Sequence, residues 1–310
     1  MNPLHNSNWN FPARFLSATH QMGRILRRDV IGMTPEQIRK TLDGFARLYP
    51  GHMSVGYEST HMGSVPAARL YPKHPRNANL NQHILLIHGG GFAFGSARTH
   101  RALASALVIE MECEVWLPEY RLAPEHAFPE PLEDVLEAYA HLSSNAKDVW
   151  VLGDSAGGNL AMTLCLDAAE KGWASPKGLM LLSPWLDLTP NSKSNRASHT
   201  EQSPFDRLDM IEYATHYLQG TPPYHPRCNP LDRDLSDLPL IYAEASEMEY
   251  LWPDYERIRK AFANTPERFI GRVEPHALHG WQLFPDLLPE AKRSIKGMTA
   301  FMSKTLVDSL

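Results

Sequence analysis

From residue 83 onward the chain repeats one pattern: a short apolar run, a turn, then a longer stretch whose apolar residues fall three and four apart. The runs are HILLIHGG, CEVWLP, DVWVLGD, GLMLLSP, PLIYAEA and RFIGRVEP. Short continuous runs of this kind belong to strands buried on both faces. Between them lie RTHRALASALVIEM, FPEPLEDVLEAYAHL and SAGGNLAMTLCLDAAEKG, with PEAKRSIKGMTAFMSKTL at the end, each long enough for a crossover helix. The alternation predicts an α/β fold, with a mostly parallel central sheet and helices on both faces. Sheets of this type bind ligands beyond the carboxyl ends of their strands, so chemistry is expected where a run gives way to a loop.

Upstream the pattern is less regular. In TPEQIRKTLDGF, Thr34 stands as an N-cap, Pro35 fits the first helical position and Gln37 closes a capping box, with Ile38, Leu42 and Phe45 on one face. From Ser54 to Tyr71 the residues predict two short strands around Gly63, paired as an antiparallel edge.

Composition narrows the function classes. The 310 residues are 43% hydrophobic and 21% charged, ordinary for a globular chain with one sizeable core, and we expect one structural domain. The net charge of -5, with both signs mixed along the chain, argues against nucleic acid as a partner. Cys113, Cys165 and Cys228 are odd in number and widely spaced, so neither a disulfide framework nor a thiolate metal site is expected. The N-terminal MNPLHNSNWNFPARF lacks the apolar run of a secretion signal, and no stretch approaches the roughly 18 apolar residues of a membrane span. The expected location is cytoplasmic.

The sharpest chemical signal is VLGDSAGGNLAMTLCL, where Gly153, Ser155 and Gly157 form G-x-S-x-G between an apolar run and a helical pattern. That context is the one a nucleophile elbow needs, because small neighbours let strand and helix close around a serine held clear of the backbone. A second run ends in His88-Gly89-Gly90-Gly91-Phe92, whose consecutive glycines can aim backbone N–H groups at a developing oxyanion. No lysine follows at phosphate-loop spacing, and no dinucleotide fingerprint is present. His88 reads as a buried support for that loop. A serine nucleophile needs a base, and where an elbow of this kind is used the base comes last in chain order, after the final strand. Of His276 and His279, which follow RFIGRVEP, His279 stands directly before a glycine and is the expected base; His276 is expected on the surface. The stretch AEASEMEYLWPD offers four carboxylates for the third member, Glu244, Glu247, Glu249 and Asp254.

Taken together, HGGGF at 88–92, YRLAPEHAFPEPLEDVLEAY at 120–139, GDSAGGNLA at 153–161 and LSPWLDLT at 182–189 resemble the hormone-sensitive-lipase-like esterases, the bacterial type IV branch of the α/β-hydrolase fold. The resemblance spans about residues 80–305. It implies oxyanion-hole N–H groups at Gly90, Gly91 and Ala156, and an N-terminal helical cap in residues 1–50 over a catalytic domain at 51–310. For the acid it implies Glu249, on an Ala-Ser-acid-x-Glu-x-Leu version of the strand end in which the commoner glycine is missing. Asp254 then falls on a second acidic position that opens and caps the next helix, and Asp187 is the runner-up. Tyr120, Arg121, Glu125 and His126 are expected as a buried polar network behind the oxyanion loop.

The expected activity is hydrolysis of small to medium acyl esters by a Ser155–His279–Glu249 triad, without a metal or organic cofactor. Phe92, Phe94, Trp185, Tyr250 and Trp281 are candidates either for an apolar pocket or for ordinary core. Lactone hydrolysis, removal of small acetyl groups and acyl transfer use the same triad, and a non-catalytic small-ligand binder on this scaffold is the alternative from another class. The partner is a small-molecule ester; the resemblance also admits a homodimer.

Overall fold

The computed structural model describes residues 32–48, 51–75, 81–190 and 205–307. Most of the expected cap segment, residues 1–31 together with 49 and 50, lies outside them. The strands are β1 (Val55–Met62), β2 (Val65–Pro72), β3 (Gln82–Ile87), β4 (Glu114–Pro118), β5 (Asp148–Asp154), β6 (Leu179–Leu182), β7 (Ile241–Ser246) and β8 (Phe269–Glu274). They form one sheet in the order β1-β2-β4-β3-β5-β6-β7-β8. β1 pairs antiparallel with β2 and β2 with β4, while β4 through β8 are all parallel.

The apolar runs are continuous because both faces of the sheet are covered. Successive side chains alternate between them: Leu85, Ile87, Val149, Val151, Leu179 and Leu181 enter one core, whereas Ile84, Leu86, Trp150, Leu152, Met180 and Leu182 enter the other. Each such residue, fully buried, contributes roughly 1.5–3 kcal/mol.

The first core is covered by α1 (Pro35–Ala46), α3 (Glu130–Asn145), α4 (Ala156–Glu170), α5 (Arg207–Leu218) and α6 (Trp252–Ala261). The second is covered by α2 (Arg101–Met111) and α7 (Pro289–Val307). The capping box of α1 forms as expected, with Gln37 N donating to Thr34 Oγ1 and Thr34 N to Gln37 Oε1.

Three features differ from expectation. The hairpin strands each run eight residues rather than being short. Phe45 is 56% exposed, so Ile38 and Leu42 alone carry the packed face of α1. Helix α5 was not expected; an Asp206–Asp209 capping box starts it, and Met210, Tyr213, Ala214, Tyr217 and Leu218 bury its inner face.

Candidate active site

The turn at Ser155 is the most constrained point of the sheet's carboxyl edge. Ser155 has φ 51° and ψ −121°, a positive φ that a residue with a Cβ rarely adopts. Its N–H donates to Leu182 O at 2.9 Å, and its own carbonyl accepts from Trp185 N at 2.9 Å and Gly158 N at 3.0 Å. Strand and helix meet so closely that a Cβ on Gly153 would run into the Gly157 carbonyl, and one on Gly157 into the Ile87 carbonyl. These glycines are therefore required by contact, as the elbow reading expects. Ser155 immediately precedes α4, so Ala156 N–H lies in the first turn of a helix, where N–H groups lack intrahelical partners and the dipole is positive.

The glycine loop stands beside this turn. Gly90 has φ +115°, and a Cβ there would strike the Phe94 carbonyl. The loop is fastened to the elbow by Asp154, which accepts from Gly89 N at 2.9 Å and from His100 Nε2 at 3.0 Å through the same oxygen. Burial alone would push the Asp154 carboxyl up; the neighbouring His100 and the Gly89 N–H outweigh it and hold the group below the ordinary carboxylate range. His88 is fully buried, and its Nδ1 pairs with Gly89 O at 2.9 Å. Burial, with His100 beside it, lowers its pKa to about 3. A histidine so held is neutral support for the loop, as its position before the glycines suggested.

Of the expected network behind the loop, only Tyr120 is buried. Its hydroxyl donates to His88 O at 2.7 Å and its ring stacks on His88 at 4.2 Å. Arg121, Glu125 and His126 are partly exposed and bond instead to Asp134 and Glu130, to Arg39, and to Glu130. Charged groups are drawn to the surface by the cost of desolvating them, which corrects the buried-network expectation.

The four carboxylates in and after β7 separate cleanly. Glu249 is buried, and its Oε1 pairs with His279 Nδ1 at 3.2 Å and accepts from Ser183 Oγ at 2.6 Å. Glu249 Oε2 accepts from Ser246 N at 3.2 Å. Asp254 is buried too but faces elsewhere: its Oδ2 takes the N–H groups of Leu186 at 2.7 Å and Asp187 at 3.1 Å. It fastens the loop after β6 and does not cap its own helix, which has no side-chain cap bond. Glu244 is buried and bonded to Tyr242, Ser294 and Arg272. Glu247 is exposed. Asp187, the runner-up, pairs with Arg257 and accepts from Thr189 and Asn229.

His279 is mostly buried, with its side chain 11% exposed, while His276 lies at the surface. The His279 ring meets Phe205 edge-on at 5.8 Å, and Phe205 in turn lies 6.1 Å from Phe94, which follows the glycine loop. Tyr213 of α5 completes this aromatic group, 5.3 Å from Phe94 and against Gly91. Phe205 and Tyr213 were not expected at the site. Of the candidate pocket residues, Phe92 is core, stacked on Tyr217 at 3.8 Å, and Trp281 packs in a separate small cluster. Among the described residues, no group of three or more His, Cys, Asp or Glu is placed to hold a metal ion, and no helix is long and apolar enough to cross a membrane.

A sheet of this order, with a serine on a strained strand-to-helix turn, defines the class. Residues 84–283 match the family model described as the alpha/beta hydrolase fold, and the chain belongs to that family. Its relatives place it in the hormone-sensitive-lipase-like esterase branch. An esterase of Acinetobacter venetianus is 30% identical over 282 residues, covering 90% of this chain and 92% of its own. An acetyl-hydrolase of Streptomyces hygroscopicus is 33% identical over 224 residues, covering 71% and 74%. The crystal structure of an esterase from the bacterial hormone-sensitive lipase family is similar with a TM-score of 0.85 at 29% identity, covering 95% of this chain and 99% of that one.

Proposed function

We propose that the chain is a serine carboxylic-ester hydrolase for small to medium acyl esters, working through Ser155, His279 and Glu249. The observation that carries the reading is the His279 Nδ1 bond to a buried Glu249 at 3.2 Å, with Glu249 tied through Ser183 to the end of β6, whose Leu182 carbonyl holds the N–H of the strained Ser155 turn. His279 Nε2 takes the Ser155 proton as the hydroxyl oxygen attacks the ester carbonyl, and Glu249 fixes the imidazole tautomer and stabilises the imidazolium. The N–H groups of Gly90, Gly91 and Ala156 receive the oxyanion, each worth about 3 kcal/mol in comparable hydrolases. Collapse of the tetrahedral species expels the alcohol, which takes the proton back from His279. Water, activated by the same histidine, then releases the acid and restores Ser155. The helix N-terminus at Ala156 and the positive φ of Gly90 support this oxyanion assignment.

The substrate range follows from two supports. Phe94, Phe205 and Tyr213 give the site an apolar wall, and the Streptomyces relative is named for acetyl groups. Of the proposed cap at residues 1–50 on a catalytic domain at 51–310, the described part is α1, and what supports its role is Arg39, which donates to the carbonyls of Ala93 and Ala123, both at 2.7 Å. The test is covalent labelling with an alkyl fluorophosphonate followed by peptide mass spectrometry. The adduct is expected on Ser155 alone, and label on another residue, or none, contradicts the proposal.

A further inference from the structure

Ser183 has no part in the mechanism above, yet it is among the most constrained residues at the site. It is buried to 1% exposure and holds φ 45°, one of five non-glycine residues with a positive φ among those described. Glycine would take that conformation without strain, and a retained side chain under such strain points to a use for it. The use is visible in its contacts. Ser183 Oγ donates to Glu249 Oε1 at 2.6 Å, the oxygen that also pairs with His279 Nδ1. Its N–H donates to Glu244 O on β7 at 2.7 Å. The residue before it, Leu182, holds the Ser155 N–H through its carbonyl at 2.9 Å, and Trp185, two residues on, bonds to the Ser155 carbonyl at 2.9 Å.

We infer that Ser183 is a positioning residue for the Ser155–His279–Glu249 triad: its hydroxyl fixes the Glu249 carboxylate while the backbone on either side of it fixes the nucleophile turn. The inference rests on the triad reading above. Glu249 lies in the irregular turn between β7 and α6, and the Ser183 hydroxyl adds to the His279 and Ser246 contacts a bond that restricts the rotamer of its carboxylate. A donor rooted in β6 refers the acid to the same strand end that carries Ser155, so acid and nucleophile move together.

The test uses Ser183→Ala, Ser183→Gly and Glu249→Ala, singly and with each Ser183 change combined with Glu249→Ala, in steady-state hydrolysis of p-nitrophenyl butyrate. Glycine accepts the positive φ, so it keeps the comparison readable should the alanine variant fold poorly. Both Ser183 variants are expected to lose roughly tenfold in kcat with KM within about twofold of wild type. In the Glu249→Ala background, where no carboxylate remains to be held, either change is expected to cost nothing further. Turnover within twofold of wild type in both single variants overturns the inference, as does a tenfold loss that persists in the Glu249→Ala background. Should Glu249→Ala itself keep wild-type turnover, it is the triad reading that fails, and the inference falls with it.

Discussion

At the residue scale, the division of labour between Glu249 and Asp254 is the sharpest result. Both carboxylates are buried within five residues of each other, yet one faces His279 and the other faces two backbone N–H groups of the loop after β6. Glu249→Gln is expected to lower kcat by about 10³–10⁴ with KM little changed, because an amide in that place favours the wrong imidazole tautomer. Asp254→Ala is expected to act on the fold, at about 1–3 kcal/mol for each N–H left buried without an acceptor, read as a lowered Tm. If the large kinetic loss appears at Asp254 instead, the two roles are exchanged. His88 gives a pH prediction. Its folded pKa of about 3 lies below the ordinary 6.5, so the unfolded chain binds a proton that the native state refuses in that window. Stability is expected to fall as pH drops from about 6.5 towards 3, and His88→Gln, which binds no proton in either state, should flatten that slope in urea titrations. An equal slope in both proteins contradicts the assignment.

Much of this was readable in the residue string and some was not, for a physical reason. Ser155 and His279 stand out because chain order and local spacing carry their context. Ser183 does not, because its meaning lies in a contact with a residue 66 positions away. Arg121, Glu125 and His126 do not form the buried network their motif suggests, because neighbouring polar residues in a motif need not share an environment; a guanidinium or carboxylate with a route to water takes it.

At the scale of elements, the parallel strands β3 to β7 are legible because burial on both faces leaves nearly uninterrupted apolar runs, whereas the half-exposed hairpin strands run longer than their residues suggest. Helix α5 is hard to read from the residues because tyrosines supply much of its inner face and the capping box uses Asp206 and Asp209 rather than the usual Thr and Glu pair. Its position matters, because Tyr213 closes against Gly91 and a Cβ at that glycine would meet the ring at 2.9 Å. Helix α1 was legible from its capping box, but its anchoring was not. Arg39 ties it to the carbonyls of Ala93 and Ala123 and to Glu125, across 54 to 86 residues of sequence. Arg39→Ala is therefore expected to cost about 1–3 kcal/mol and to lower kcat/KM several-fold by loosening the loop after the glycines. Thermal melts and initial rates check this, and unchanged values in both would show that α1 does not support that loop.

At the scale of the whole molecule, six strands deliver their carboxyl ends to one edge, and that edge collects residues from every part of the chain. The glycine loop follows β3, the serine turn follows β5, Ser183 follows β6, Glu249 follows β7 and His279 follows β8. None of these groups is adjacent in sequence to its functional neighbour; the parallel register makes them so. The central claim is that this edge carries out serine-dependent ester hydrolysis. It is tested most directly by kcat/KM for a p-nitrophenyl ester series from acetate to laurate, measured on the wild type and on Ser155→Ala. The account predicts turnover that is highest for the short and medium acyl chains and a loss of at least about 10³-fold in the variant. Undiminished turnover by Ser155→Ala, or no turnover by either protein, would contradict it.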